Sequence, residues 1–164
     1  MYPTVLGIDP GTARMGWAIV EKNASREIAI DYGCLETPAN TPLPERLETI
    51  YRFIQDLVSK YHPQAASIEN LFFANNAKTV MSVDAARGVI ILSCQLKKLP
   101  IFQYTPLEIK SCLTGYGKAD KQQVQFMVKN LLRLDEVPTP DDTADALAVA
   151  LTHLARERSA TIGS

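Results

Sequence analysis

Cysteine is sparse in this chain. Its three residues, Cys34, Cys94 and Cys112, are widely separated and form no CxxC pair. That argues against a disulfide framework and a zinc finger, and makes a reducing cytoplasm the expected setting. There are only two histidines: His62 precedes a proline, and His153 lies deep in a helical pattern. With no GxSxG turn and no Cys/His constellation, nucleophilic acyl-transfer chemistry has no foothold. No apolar run approaches the roughly 20 residues that cross a bilayer. The opening MYPTVLGIDP has neither a basic region nor an apolar stretch with a cleavage site, so neither secretion nor membrane association is expected. Internal repeats, low-complexity tracts and Gly/Ser linkers are also missing.

What remains is an ordinary globular composition over 164 residues, 46% hydrophobic and 21% charged. Such a chain can bury a sizeable core as one domain. Residues 1–158 are expected to form it, with 159–164 a flexible tail. The net charge of −1 conceals a strong asymmetry. Residues 1–71 carry six basic and nine acidic groups, 72–133 nine and three, and 134–164 two and six. A basic central block therefore sits between two acidic flanks, a distribution that suits a polyanionic partner better than the total suggests.

The first third reads as strands: Thr4 to Asp9, Gly16 to Glu21, and Glu27 to Leu35. Leu43, Leu47, Ile50, Ile54, Leu57, Val58 and Tyr61 recur at helical spacing, and that helix is expected to start at Thr41 with Pro42 in its first position. A short buried strand, Ala65 to Glu69, precedes a helix from about Asn76 to Leu96 and a strand from Ile101 to Tyr104. Thr105-Pro106-Leu107-Glu108 has the form of a capping box, and Asp120 is expected to cap the next helix. The last helix should begin near Thr139-Pro140 and end near Arg156. Strands first, then helices interleaved with short buried strands, predict an α/β fold with a mixed sheet and helices on its faces.

The sharpest signal is acid placed inside apolar structure. Asp9 ends the run Val5-Leu6-Gly7-Ile8, where period-two alternation puts Val5, Gly7 and Asp9 on one face and should leave room beside Asp9 at Gly7. Glu69 ends the strand Ala65–Ile68. Asp142 and Asp145 lie three apart at the start of an Ala/Leu/Val helix, so they project from one face. Each acid alone has a plain structural reading: a turn with Gly11 for Asp9, a surface strand end for Glu69, macrodipole complementation for Asp142. Asp141 paired with Asp145 would also share a face. Few cations lie near these acids in the sequence, and unpaired charge at the edge of a core is costly. Divalent metal binding would relieve it, since Mg²⁺ takes carboxylate oxygens and two such ions about 4 Å apart suit phosphodiester chemistry.

Four blocks then resemble one family. Gly7-Ile8-Asp9-Pro10-Gly11-Thr12, Ile68-Glu69-Asn70-Leu71-Phe72-Phe73-Ala74-Asn75-Asn76, Ala85-Ala86-Arg87-Gly88 and Asp142-Thr143-Ala144-Asp145-Ala146-Leu147-Ala148 are similar, in order and spacing, to the RuvC Holliday junction resolvases, from about Thr4 to His153. The resemblance implies a ribonuclease H-like fold: a mixed five-stranded sheet with helices on both faces. It implies Asp9, Glu69, Asp142 and Asp145 as catalytic and metal-holding acids, and favours Asp142 over Asp141. The implied cofactor is Mg²⁺, two ions per subunit, with Mn²⁺ able to substitute, and the implied products are a 5′-phosphate and a 3′-hydroxyl. Lys110 and Lys121 correspond to lysines that contact DNA, Lys118 adds a cation beside them, and Phe72 corresponds to an aromatic that enters the junction. The implied partners are four-way junction DNA, a second copy of the chain joined through the helix from Asn76, and the RuvA–RuvB branch-migration complex. Two rival readings stay open: a scaffold that binds branched DNA without cutting, and a ribonuclease H-like nuclease acting on RNA ends.

Overall fold

The computed structural model describes residues 3–70 and 77–162. In chain order the elements are β1 (Thr4–Asp9), β2 (Arg14–Lys22), β3 (Glu27–Glu36), α1 (Leu43–Tyr61), β4 (Ala65–Glu69), α2 (Ala77–Leu96), β5 (Ile101–Tyr104), α3 (Pro106–Thr114), α4 (Lys121–Leu132) and α5 (Asp141–Ile162). The strands form one mixed sheet in the order β3-β2-β1-β4-β5. The β1–β2 and β2–β3 pairs are antiparallel, while β1–β4 and β4–β5 are parallel. Parallel neighbours need crossovers, and α1 and α2 supply them.

Strand alternation sorts the core into two layers. Leu6, Ile8, Ile19 and Ile68 face Ile50 and Ile54 of α1 and Ile90 and Cys94 of α2. Val5, Ala18 and Val20 face the other way, onto α5, with Ile109, Leu113, Val124 and Val128 of α3 and α4 in the same cluster. Helix α5 thus lies between the sheet and an outer pair of helices. Residues Ala146 through Leu151 are all buried, which explains a run without the amphipathic period of a surface helix.

The approach of α5 to the sheet depends on two glycines. A Cβ on Gly16 would overlap the backbone carbonyl of Asp142, and one on Gly7 would overlap the Ala146 carbonyl and sit 2.8 Å from Ala150 Cβ. The space expected beside Asp9 at Gly7 is therefore filled by helix backbone.

Both predicted caps are present. Thr105 and Glu108 bond reciprocally at the start of α3, and Asp120 and Gln123 do so at the start of α4. Removing either cap, by Thr105→Ala or Asp120→Ala, should cost about 1 kcal/mol and lower Tm by roughly 2–4 °C in a thermal melt.

Two helix limits differ from expectation. Helix α1 begins at Leu43, with Pro42 as a cap residue that makes no side-chain cap hydrogen bond; Pro44 takes the early helical position that Pro42 was expected to fill. Helix α5 continues past Arg156 to Ile162, since the stretch from Glu157 to Ile162 contains neither Gly nor Pro. No helix among the described residues is long and apolar enough to cross a membrane.

Candidate active site

The sheet register brings two acids together. Ile8 pairs with Ile68 across the parallel β1–β4 ladder, so Asp9 and Glu69, one residue further on, end adjacent strands and point to the same side, toward α5. Asp9 also pairs with Gly16, where α5 comes closest, and this carries Asp142 and Asp145 of its first turns to the same edge. Three separate segments thus deliver four carboxylates to one end of the sheet.

Their electrostatics confirm the crowding. Asp9 is 9% exposed; burial, then the charges of Glu69, Asp145 and Asp142, push its carboxyl up to about 9. Glu69 rises to about 7, chiefly through burial and Asp145. The two carboxyls interact directly, and burial and their mutual charge favour a protonated form of the pair. Asp145 is also raised by burial, against the opposing pull of Lys121. Such mutual repulsion costs folding stability in the metal-free chain.

Cations do reach this edge, contrary to the expectation from local sequence. Arg14 Nε lies 3.4 Å from Asp142 Oδ2, and Lys121 Nζ lies 3.2 Å from Asp145 Oδ2 and 3.1 Å from Asp141 Oδ2. Lys121 is distant in sequence and arrives on α4. Arg14 belongs to none of the sequence motifs, although the β1–β2 hairpin returns it to the Asp9 end of the sheet. Partial burial lowers the basicity of Lys121, and Asp145 and Asp141 more than offset this, leaving it above its ordinary value.

Asp141 and Asp142 take different positions at the start of α5: the charge of Asp142 bears on Asp9, and both bear on Asp145. Asp141 turns outward, its side chain 64% exposed against 23% for Asp142.

A cavity of about 270 Å³ opens against the cluster, walled by Glu69, Asp145, Lys110, Lys121, Ile109 and Val124. Lys110 therefore faces the acids, whereas Lys118 is exposed on the α3–α4 turn. Phe72 and the expected helix start at Asn76 lie outside the described residues. His153 is buried, with Nδ1 2.8 Å from the Tyr104 hydroxyl and its ring 4.3 Å from that of Phe102; burial lowers its pKa. It belongs to the packing of α5 on β5 and takes no part in the acid cluster.

The donor set suits a hard divalent cation. It is all oxygen, largely desolvated, and includes a buried Asp142 Oδ2 that makes no hydrogen bond. Among the described residues no three His, Cys, Asp or Glu side chains are already gathered around one point. Asp142 and Asp145 are instead engaged by Arg14 and Lys121. A cation held there would compete with both ion pairs.

Known proteins share this architecture. The chain matches the Thermus thermophilus RuvC structure in complex with Holliday junction substrate at a TM-score of 0.91 and 32% identity, covering 97% of each chain. The yeast mitochondrial Holliday junction resolvase Ydc2 shares the fold at a TM-score of 0.70 and 17% identity, over 96% of this chain and 81% of its own. The fold is thus the ribonuclease H-like mixed sheet of the junction-resolvase class. In sequence, the family described as crossover junction endodeoxyribonuclease RuvC matches residues 5–153. The RuvC of Desulfitobacterium hafniense (strain DSM 10664 / DCB-2) is 50% identical over 149 residues, 91% of this chain and 90% of that protein. That of Caldicellulosiruptor saccharolyticus is 51% identical over 151 residues, 92% and 91% respectively. The chain belongs to the RuvC family of crossover junction endodeoxyribonucleases.

Proposed function

We propose that this endonuclease resolves four-way (Holliday) DNA junctions by symmetric paired nicks leaving 5′-phosphate and 3′-hydroxyl ends. Asp9, Glu69, Asp142 and Asp145 would hold two Mg²⁺ ions per subunit, with Mn²⁺ able to replace them. The observation that carries the reading is the delivery of these four carboxylates, from β1, β4 and α5, to one edge beside a cavity lined by Lys110 and Lys121. When bound, the ions supply Lewis-acid activation of the scissile phosphodiester and neutralise charge at the departing oxygen.

The chain's own groups set the conditions for that chemistry. Asp9 and Glu69, both raised by burial and neighbouring charge, must be deprotonated before both can act as charged ligands. Arg14 and Lys121 serve as stand-in counter-ions until then, limiting repulsion in the metal-free protein. Lys110 and Lys121, on the cavity wall, face the path of a phosphate backbone, and Lys118 extends the basic rim outward. Replacing Lys110 or Lys121 by alanine should flatten the dependence of log K on log salt by about one unit each in a junction-binding titration.

A homodimer fits a substrate with approximate two-fold symmetry, because it sets one site against each of two opposed strands. Met81, Leu92 and Leu96, 74%, 54% and 59% exposed, form an apolar stripe on α2 that supports this pairing. Leu92 thus points outward. Family membership extends the reading to recombination and repair in the cytoplasm, with a RuvA–RuvB branch-migration complex as partner.

One cleavage assay separates the readings. With Mg²⁺, a four-way junction should be nicked in two opposed strands, while a linear duplex and an RNA hairpin stay intact. Junction binding without cutting would support the scaffold, and trimming of the RNA hairpin would support an RNA-end nuclease.

A further inference from the structure

Lys121 opens α4 and Gln125 follows one turn later, so both side chains lie on one face of that helix. Asp141, the first residue of α5, meets both. Its Oδ2 is 3.1 Å from Lys121 Nζ, and its Oδ1 accepts from Gln125 Nε2 at 3.2 Å. The same ammonium reaches Asp145 Oδ2 at 3.2 Å. Lys121 therefore has two carboxylate partners of different kinds. Asp145 belongs to the acid cluster and bears on both Asp9 and Glu69. Asp141 is turned away from them and fixed by an amide on the helix that carries Lys121.

We infer that Asp141, buttressed by Gln125, is a positioning residue that holds the Lys121 ammonium at the cavity mouth once Asp145 is committed to a cation. The inference rests on the proposed role of the four carboxylates as the cation site. A lysine stem has four rotatable carbons and strong hydration, so without a second partner the ammonium would be free to sweep away from the cavity. With Asp141 in place, loss of Asp145 as a partner leaves one ion pair intact. The lysine then faces the phosphate path with little ordering still required.

Two measurements test this. In single-turnover cleavage at saturating enzyme, Asp141→Asn should slow nicking by about tenfold while junction affinity stays within about twofold. Lys121→Ala should slow it more, adding Asp141→Asn to Lys121→Ala should change nothing further, and Asp141→Glu should recover most of the wild-type rate. A nicking rate for Asp141→Asn equal to wild type overturns the inference. So does an equal slowing in both lysine backgrounds, which would mark a simple charge effect at the start of α5. The second measurement needs neither metal nor substrate. In metal-free Asp145→Asn protein, the Lys121 ammonium should remain visible as an ordered ¹⁵N signal, and that signal should vanish when Asp141→Asn is added. Loss of the signal in Asp145→Asn alone also overturns it. The two readings fail separately: wild-type nicking by Asp145→Asn would sink the cation site itself, whereas an inactive Asp145→Asn beside a fully active Asp141→Asn would sink only the positioning role.

Discussion

Asp9→Asn should abolish junction cleavage, lowering it by on the order of 10³-fold or more, while leaving junction binding intact and making the metal-free protein more heat-stable at pH 8. The stability gain follows from the raised carboxyls. In the folded chain Asp9 keeps its proton to about pH 9 and Glu69 to about pH 7, whereas in the unfolded chain both ionise near their ordinary values, about 4. Between those limits the folded state binds more protons than the unfolded one. Stability therefore falls as pH climbs from about 4 to 9, and whatever the protonated pair contributes is fully present only below that window. Asparagine is neutral throughout, so no proton has to be taken up at this position on folding. The pH slope should shrink, and Tm at pH 8 should rise by on the order of 5 °C. Mg²⁺ should raise the wild-type Tm and leave the variant nearly unchanged. A thermal-melt series across pH, with and without Mg²⁺, checks all three. A variant that nicks at the wild-type rate, or melts earlier than wild type at pH 8, would remove Asp9 from the proposed site.

The second large effect is expected from steric overlap rather than from charge. Gly16→Ala and Gly7→Ala each force a methyl group into helix backbone, at the Asp142 carbonyl and the Ala146 carbonyl respectively. Backbone atoms cannot swing aside as a flexible side chain can, so α5 must lift from the sheet. Each substitution should cost about 3 kcal/mol and lower Tm by roughly 6–12 °C. Gly16→Ala should also depress cleavage in the folded fraction, because the displaced segment carries Asp142 and lies one turn from Asp145. Comparing cleavage per folded molecule at 25 °C for the two variants separates the effects. Gly7 lies further along α5, so its variant should lose stability with a smaller loss of activity.

Much of this was legible because it is local or periodic. The parity of β1 and β4 places Asp9 and Glu69 on the α5 side, and both caps are written in four-residue motifs that need no tertiary partner. The apolar run of α5 signals a helix buried all round, but not what buries it. Residues far apart in sequence decided the rest. No pattern shows that Lys121 on α4 would lean on Asp145, or that Gly7 and Gly16 serve helix approach rather than the acid beside them. The two prolines at 42 and 44 compete for the start of α1, and only packing chooses between them. Asp141 and Asp142 are neighbours with equal local claims. The contacts of α5 with β1, β2 and α4 turn one inward and the other toward Lys121.

The most direct measurement is anomalous diffraction from crystals of the protein soaked in Mn²⁺. Density peaks should stand among Asp9, Glu69, Asp142 and Asp145, about 2.0–2.3 Å from their oxygens. A fully soaked crystal with no peak at that edge would contradict the account.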